Sequence, residues 1–202
     1  MDDAEWLTPR AVTHDALVTW AGDHGAVVPF PMWVMFSDEP AVTQMLAERA
    51  EEFRDTLDRV RGAREFGVRL SGDQTALAAA AETMDSALAA LEQQAESASP
   101  GQAYLLRRKL ADARKAAVRD AAVRIVEQTH DALSSHSRAS VARATAIANE
   151  PGVLLDGAYL VADEEYQHFR TVLTEIIAAY EPVGLRFDFT GPWPPYHFVR
   201  DN

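Results

Sequence analysis

Apolar positions along this chain change their period several times, and each change marks an element. Val12, Ala16 and Trp20 recur at helical spacing. Thr8-Pro9 reads as the start of that helix, a hydroxyl cap followed by a proline whose missing N–H costs no intrahelical bond. Gly22 and Gly25 close it. The runs at 26–30 and 32–36 are apolar without a period. Pro29 and Pro31 exclude a central strand there, so an edge strand or a bulge is expected. Ser37-Asp38-Glu39-Pro40 opens a second helix with apolar positions Val42, Met45, Leu46, Phe53, Leu57 and Val60, and Gly62 ends it.

The period then shortens to two. Phe66, Val68 and Leu70 alternate with Glu65, Gly67 and Arg69, a half-buried strand. Asp73 caps a helix running to about Ala98, in which Leu77, Ala81, Met84, Leu88, Leu91 and Ala95 form a seam of the coiled-coil kind. "SASPG" breaks it, and a longer helix follows from about Gln102 to Leu133. Its stripes are Leu106, Leu110, Ala113 and Ala117, then Val118, Ala122, Ile125 and Thr129. A short turn between two such helices implies an antiparallel hairpin. Its alanine-rich seam buries little area, so its outer end should project and fray.

Strands are expected at 139–148 and 153–161, joined by the turn Asn149-Glu150-Pro151-Gly152. Asp163 caps a further helix with Tyr166, Phe169, Leu173, Ile176 and Tyr180 on one face, and Pro182 ends it. The last strand, "GLRFDF", sets Leu185, Phe187 and Phe189 on one side. The fold class is α+β: an N-terminal α/β domain over 1–62, then a split βαββαβ (ferredoxin-like) domain over 63–202. The second domain carries the inserted helical hairpin at about 73–134. One face of such a sheet is covered by helices, and the other needs a cover.

The tail "TGPWPPYHFV" is the odd feature. Its prolines should stop the last strand and carry Trp193 and Tyr196 stiffly to one place. Those rings, with Phe198, are either a cap for the open sheet face or a handle for a partner. Pro192 and Pro195 also make a minimal P-x-x-P, which follows a strand directly instead of lying in a loose tail.

Charge adds a second candidate surface. The 202 residues carry a net charge of −12, unevenly spread. Residues 101–143 hold nine Lys/Arg and four Asp/Glu, and the rest of the chain holds ten and twenty-seven. An acidic body disfavours nucleic-acid binding. The basic segment, led by Arg107, Arg108 and Lys109, can meet an acidic partner or act as a solvated helix face. There are no cysteines, the start "MDDAEW" lacks a secretory pattern, and no run approaches a membrane span. A soluble cytoplasmic protein is the expectation.

Catalytic chemistry finds little support. Glu127/His130 and Glu165/His168 repeat the Glu-x-x-His spacing of di-iron sites, which would need two more carboxylates such as Glu82 and Glu92. A metal-dependent enzyme is therefore one alternative. No P-loop, G-x-S-x-G or dinucleotide-binding motif occurs.

The tail "FDFTGPWPPYHFV" resembles the C-terminal signature of the gas vesicle GvpL/GvpF family. "VVPFPMWVMF", "REFGVRL", "SPGQAYLLRRKL" and "GAYLV" line up with further family segments in order. Pro31, Met32 and Trp33 depart from the family pattern, and the first strand segment usual in the family is missing, so the expectation is either a reduced N-terminal domain or a sequence that starts late. The resemblance implies a cytoplasmic accessory protein of gas vesicle formation, with two α/β domains and a projecting hairpin. Its implied partners are the hydrophobic shell protein GvpA and other accessory proteins, with no catalysis, metal or cofactor. A minor component of the vesicle wall is the alternative within that setting. Trp193, Tyr196, Phe198, Arg107, Arg108 and Lys109 are the candidate partner-binding residues.

Overall fold

The computed structural model describes residues 3–143 and 152–199. The chain opens with helix α1 (Asp3–His24), which runs through Pro9. Thr8-Pro9 is thus not the start. A proline in the second turn removes one intrahelical bond, and the residues before it favour helix enough to keep the turn. Thr13 donates its hydroxyl to the Pro9 carbonyl at 2.8 Å. Residues 25–36 form no strand, only extended chain and a turn, so the expected edge strand is absent. Two prolines in that stretch leave too few donors for a ladder. Helices α2 (Glu39–Glu48) and α3 (Ala50–Val60) replace the single helix expected over 39–62, with a break at Arg49. Asp38 caps the first, its side chain accepting from the Ala41 N–H at 2.9 Å.

Four strands follow as one sheet: β1 (Ala63–Ser71), β2 (Ala139–Arg143), β3 (Val153–Ala162) and β4 (Arg186–Trp193). Their order is β2-β3-β1-β4, and every neighbouring pair is antiparallel. Alternation therefore locates the strands. The expected continuation of β2 to 148, and its turn up to Pro151, lie outside the described residues. β4 runs further than expected, through Gly191-Pro192 to Trp193, which pairs with Glu65 across an irregular register. The proline is tolerated because β4 is an edge strand and the ladder shifts there.

Between β1 and β2 lie α4 (Gln74–Met84), α5 (Ser86–Ser97) and α6 (Pro100–Ser134). The single helix expected over 73–98 is broken at Asp85, whose carboxylate caps α5 by accepting from the Ala87 N–H at 2.9 Å. The seam survives the break. Leu77, Ala81, Leu88 and Ala95 are buried, as are Leu110, Ala117, Ile125 and Thr129 of α6. Helix α7 (Tyr166–Tyr180) starts at Tyr166, three residues after the expected cap at Asp163, and buries Phe169 and Leu173.

The two sheet faces divide the core. Phe66, Val68, Tyr159 and Val161 face the helices, packed with Phe169, Leu173 and Leu133. Ala158 and Leu160 point the other way, beneath Val60, Phe198 and Val199. β3 is buried on both sides, which is why "GAYLV" reads as a continuous apolar run.

Candidate functional site

Beyond β4 the chain crosses the sheet face that the long helices leave uncovered. Pro194, Pro195, Phe198 and Val199 are all buried. Phe198 is 6% exposed and packs with Ala158, Leu160 and Val60, beside Val28 and Val141. A polar latch holds this crossing. Glu65 stands on the tail side of β1, where alternation places an outward polar residue, yet it is buried. Its carboxylate accepts the His197 backbone N–H at 2.9 Å and meets the imidazole Nδ1 at 2.6 Å. Burying a carboxylate is costly unless donors surround it, and the tail supplies them. Arg59 donates to the Phe198 carbonyl at 2.9 Å.

Tyr196 ties the tail to α1 by donating its hydroxyl to Asp15 Oδ1 at 3.0 Å. Burial first, then the Asp15 carboxylate, pushes this phenol from the usual 10.0 up to about 12. The folded state thus keeps a proton that the unfolded state releases earlier. The stabilisation is complete below pH 10 and is lost as pH rises through about 12. Tyr196→Phe should flatten the fall of Tm across that window. Parallel Tm profiles for the two proteins would remove the Asp15 tie from the account.

Trp193 differs from its neighbours. It is 45% exposed, and its indole N–H donates to Thr190 Oγ1 at 3.2 Å. With Pro192 and Pro194 it walls a cavity of about 360 Å³. Val60 and Ala63 line the same cavity, and Asp23, Asp163, Arg61 and Arg64 bring charges of both signs to it, with Arg64 meeting Asp163 at 3.4 Å.

The cationic candidates lie at the other end of the molecule. Arg107, Arg108 and Lys109 are exposed in the early turns of α6, next to the exposed side chains of Tyr104 and Leu105. From Tyr104 to the end of α6 at Ser134 the helix rises about 45 Å at 1.5 Å per residue. Just past that end, Arg138 donates to the Arg59 and Arg61 carbonyls at 2.7 and 2.8 Å. The cavity wall of 60–64 thus lies at the far end of α6 from Tyr104.

A third surface is not expected from the sequence reading. Of the fourteen strongly exposed large apolar side chains among the described residues, nine lie between Trp6 and Leu46. Trp6 and Trp33 stack with centroids 6.0 Å apart, and the Arg10 guanidinium sits 3.9 Å from the Trp6 centroid. Leu17 and Trp20 stand exposed on α1, and Met35 is 90% exposed. A signal for it is present in the sequence: α1 has apolar residues off its Val12/Ala16/Trp20 stripe, at Leu7, Leu17 and Val18. A helix apolar beyond one stripe needs more than one neighbour.

The Glu-x-x-His pairs do not converge. His130 turns its Nδ1 to the Tyr159 hydroxyl at 3.1 Å, while Glu165 sits between His168 and His136 at 3.5 and 3.7 Å. Glu82 and Glu92, the carboxylates such a site would borrow, both face Arg114, at 3.8 and 3.0 Å. Among the described residues no cluster of three or more His, Asp or Glu is arranged to hold a metal ion. No described helix is long and apolar enough to cross a membrane.

Comparison with known proteins places this chain in a family. The family model described as "Gas vesicle synthesis protein GvpL/GvpF" matches residues 2–200. Gas vesicle protein L of a Streptomyces species is 27% identical over 203 residues, covering 98% of this chain and 72% of its own length. Gas vesicle protein L2 of Halobacterium salinarum is 28% identical, covering 99% and 74%. Among solved structures, the crystal structure of gas vesicle protein GvpF from an Anabaena species superposes with a TM-score of 0.70 at 16% identity, over 95% of this chain and 78% of that one. GvpF from Microcystis aeruginosa gives 0.65 at 14% identity, covering 94% and 77%. The two structures establish a shared fold, and the match over residues 2–200 establishes kinship: the chain belongs to the GvpL/GvpF family of gas vesicle synthesis proteins.

Proposed function

We propose that this protein is an assembly factor of gas vesicle formation that holds the hydrophobic shell protein GvpA, and other accessory proteins, before they enter the vesicle. The observation that carries this reading is the apolar surface of Trp6, Trp20, Trp33 and Met35. Exposed aromatic surface on a chain of net charge −12 suits such a role, because the rings shield a partner's apolar face while the acidic body keeps the complex dispersed. Arg107, Arg108 and Lys109 would add contacts to acidic partners. Trp193 would be the member of the tail that reaches a partner, since Phe198 and Tyr196 are engaged within the chain.

In the same reading, residues 1–62, whose described elements are the helices α1, α2 and α3 and not the α/β arrangement expected from the sequence, act as a small unit that presents the aromatic surface. Residues 63–202 act as a split βαββαβ unit whose coiled-coil-like hairpin presents the cations. The setting is the cytoplasm and the nascent gas vesicle.

Co-expression with the shell protein followed by size-exclusion chromatography tests the proposal. The wild-type chain should co-elute with the shell protein, and Trp6→Ala/Trp33→Ala should lose at least about tenfold in captured partner, because exposed aromatic anchors dominate such contacts. Co-elution unchanged in that variant would sink the assignment of the surface. Retention of the protein in urea-washed vesicles would favour a wall component over an assembly factor.

A further inference from the structure

Strand β4 ends the sheet with one side free. It stands last in the order β2-β3-β1-β4, so no described strand pairs with its outer side. All of its residues are exposed except Phe187, which is half-buried. The tail does not cover this edge, because beyond Trp193 the chain crosses toward Ala158 and Leu160 of β3, away from it. A row of unpaired N–H and C=O groups is a template for another strand.

The side chains of this edge match a copy of themselves. Alternation sends Phe187 and Phe189 to the helix side of the sheet. Phe187 packs against both helix-side clusters. Phe189 stacks on Phe66 at 5.4 Å yet is 36% exposed. Arg186 and Asp188 alternate to the other side. There the strand register sets Asp156, Arg69 and Asp188 side by side, a row of alternating sign that ends negative at the edge. Arg69 meets Asp156 at 4.0 Å. Among the described residues, neither Arg186 nor Asp188 enters an ion pair.

We infer that β4 pairs with β4 of a second copy of this chain, antiparallel about a two-fold axis at Phe187. Charge complementarity argues for this partner, because that register sets Arg186 of each chain opposite Asp188 of the other. It also sets Phe189 opposite Leu185 and brings the two Phe187 rings together. An axis at Arg186 or at Asp188 would instead set that charge against its own copy. The second copy's Arg186 extends the alternating row by one cation. An isologous contact closes on itself, so association stops at a dimer in which the two four-stranded sheets join as one. Leu185 to Phe189 is a short ladder, so the dimer is of the small, exchanging kind. It requires no shell protein, so it stands or falls separately from the assembly-factor proposal.

Sedimentation velocity on the full chain, over about a hundredfold range of concentration, tests it. The wild type should pass from monomer to dimer and go no further, and added salt should weaken the dimer. Arg186→Asp and Asp188→Arg each leave like charges facing across the axis, and each should weaken dimerisation at least about tenfold. Both side chains are exposed, so neither swap disturbs the core. The decisive arm mixes the two single variants. Their contact sets two carboxylates of one chain against two guanidinium groups of the other, so a heterodimer should form. The double variant Arg186→Asp/Asp188→Arg should dimerise on its own. A wild type that stays monomeric at every concentration, single variants that dimerise as the wild type does, or a mixture that stays monomeric would each overturn the inference. If the wild type is monomeric alone and Arg186→Asp loses captured shell protein, the edge belongs to that partner, and the inference falls as well.

Discussion

Phe198→Ala should lower the Tm of the full chain by about 10 °C, while Trp193→Ala should move it by no more than about 2 °C. Phe198 fills the space over Ala158 and Leu160 and touches the Val60 cluster. Truncating a buried Phe costs about 3–5 kcal/mol, and each kcal/mol moves Tm by about 2–4 °C at this chain length. The site has little freedom to collapse into the void. Arg59 holds the Phe198 carbonyl, and Glu65 holds the backbone N–H of His197, on either side of the lost ring. Trp193 has no such burden. Its ring is half exposed, and its one indole hydrogen bond goes to an exposed Thr190 hydroxyl. Thermal denaturation followed by circular dichroism separates the two. If Trp193→Ala proved the more damaging substitution, the division of the tail into a capping Phe198 and an outward Trp193 would fail.

That division shows where the sequence is legible and where it is not. The strands are readable because Phe66, Val68 and Leu70 alternate, and because β3 is apolar on both faces. The hairpin is readable because the Leu77 to Ala95 seam keeps its spacing even across the break at Asp85. The break itself is hidden: an Asp in a helical pattern reads as a solvated residue, and only the backbone reveals that it caps a new helix. Composition singles out the tail, yet it treats the three aromatics alike. Which ring turns inward depends on Glu65, a residue 132 positions away that alternation assigns to solvent. The aromatic surface of α1 and the 32–36 segment escapes for the opposite reason. Sequence reasoning assigns apolar residues to a core by default, and Trp6, Trp33 and Met35 have none to enter.

Gly191 explains why the tail signature contains a glycine, and Gly191→Ala should cost about 3–5 kcal/mol, roughly 10 °C in Tm. Its φ is +111°, a backbone conformation that residues with a Cβ rarely adopt. Space is short as well. A Cβ at this position would lie 2.8 Å from the Glu65 carbonyl oxygen, 3.1 Å from the Phe66 ring and 3.3 Å from the Trp193 ring. The nearest of these is backbone of the central strand β1, which cannot swing aside as a side chain can. The chain would have to leave β1 at the shifted register where Trp193 pairs with Glu65, and the latch between Glu65 and His197 would loosen with it. Gly25→Ala is the matched control. It lies just past α1, has no positive φ, and nothing stands within 4 Å of an added Cβ, so its Tm should stay within about 2 °C of wild type. Equal Tm values for Gly191→Ala and the wild type would mean that the tail does not depend on this turn, and the latched crossing over the sheet would have to be redrawn.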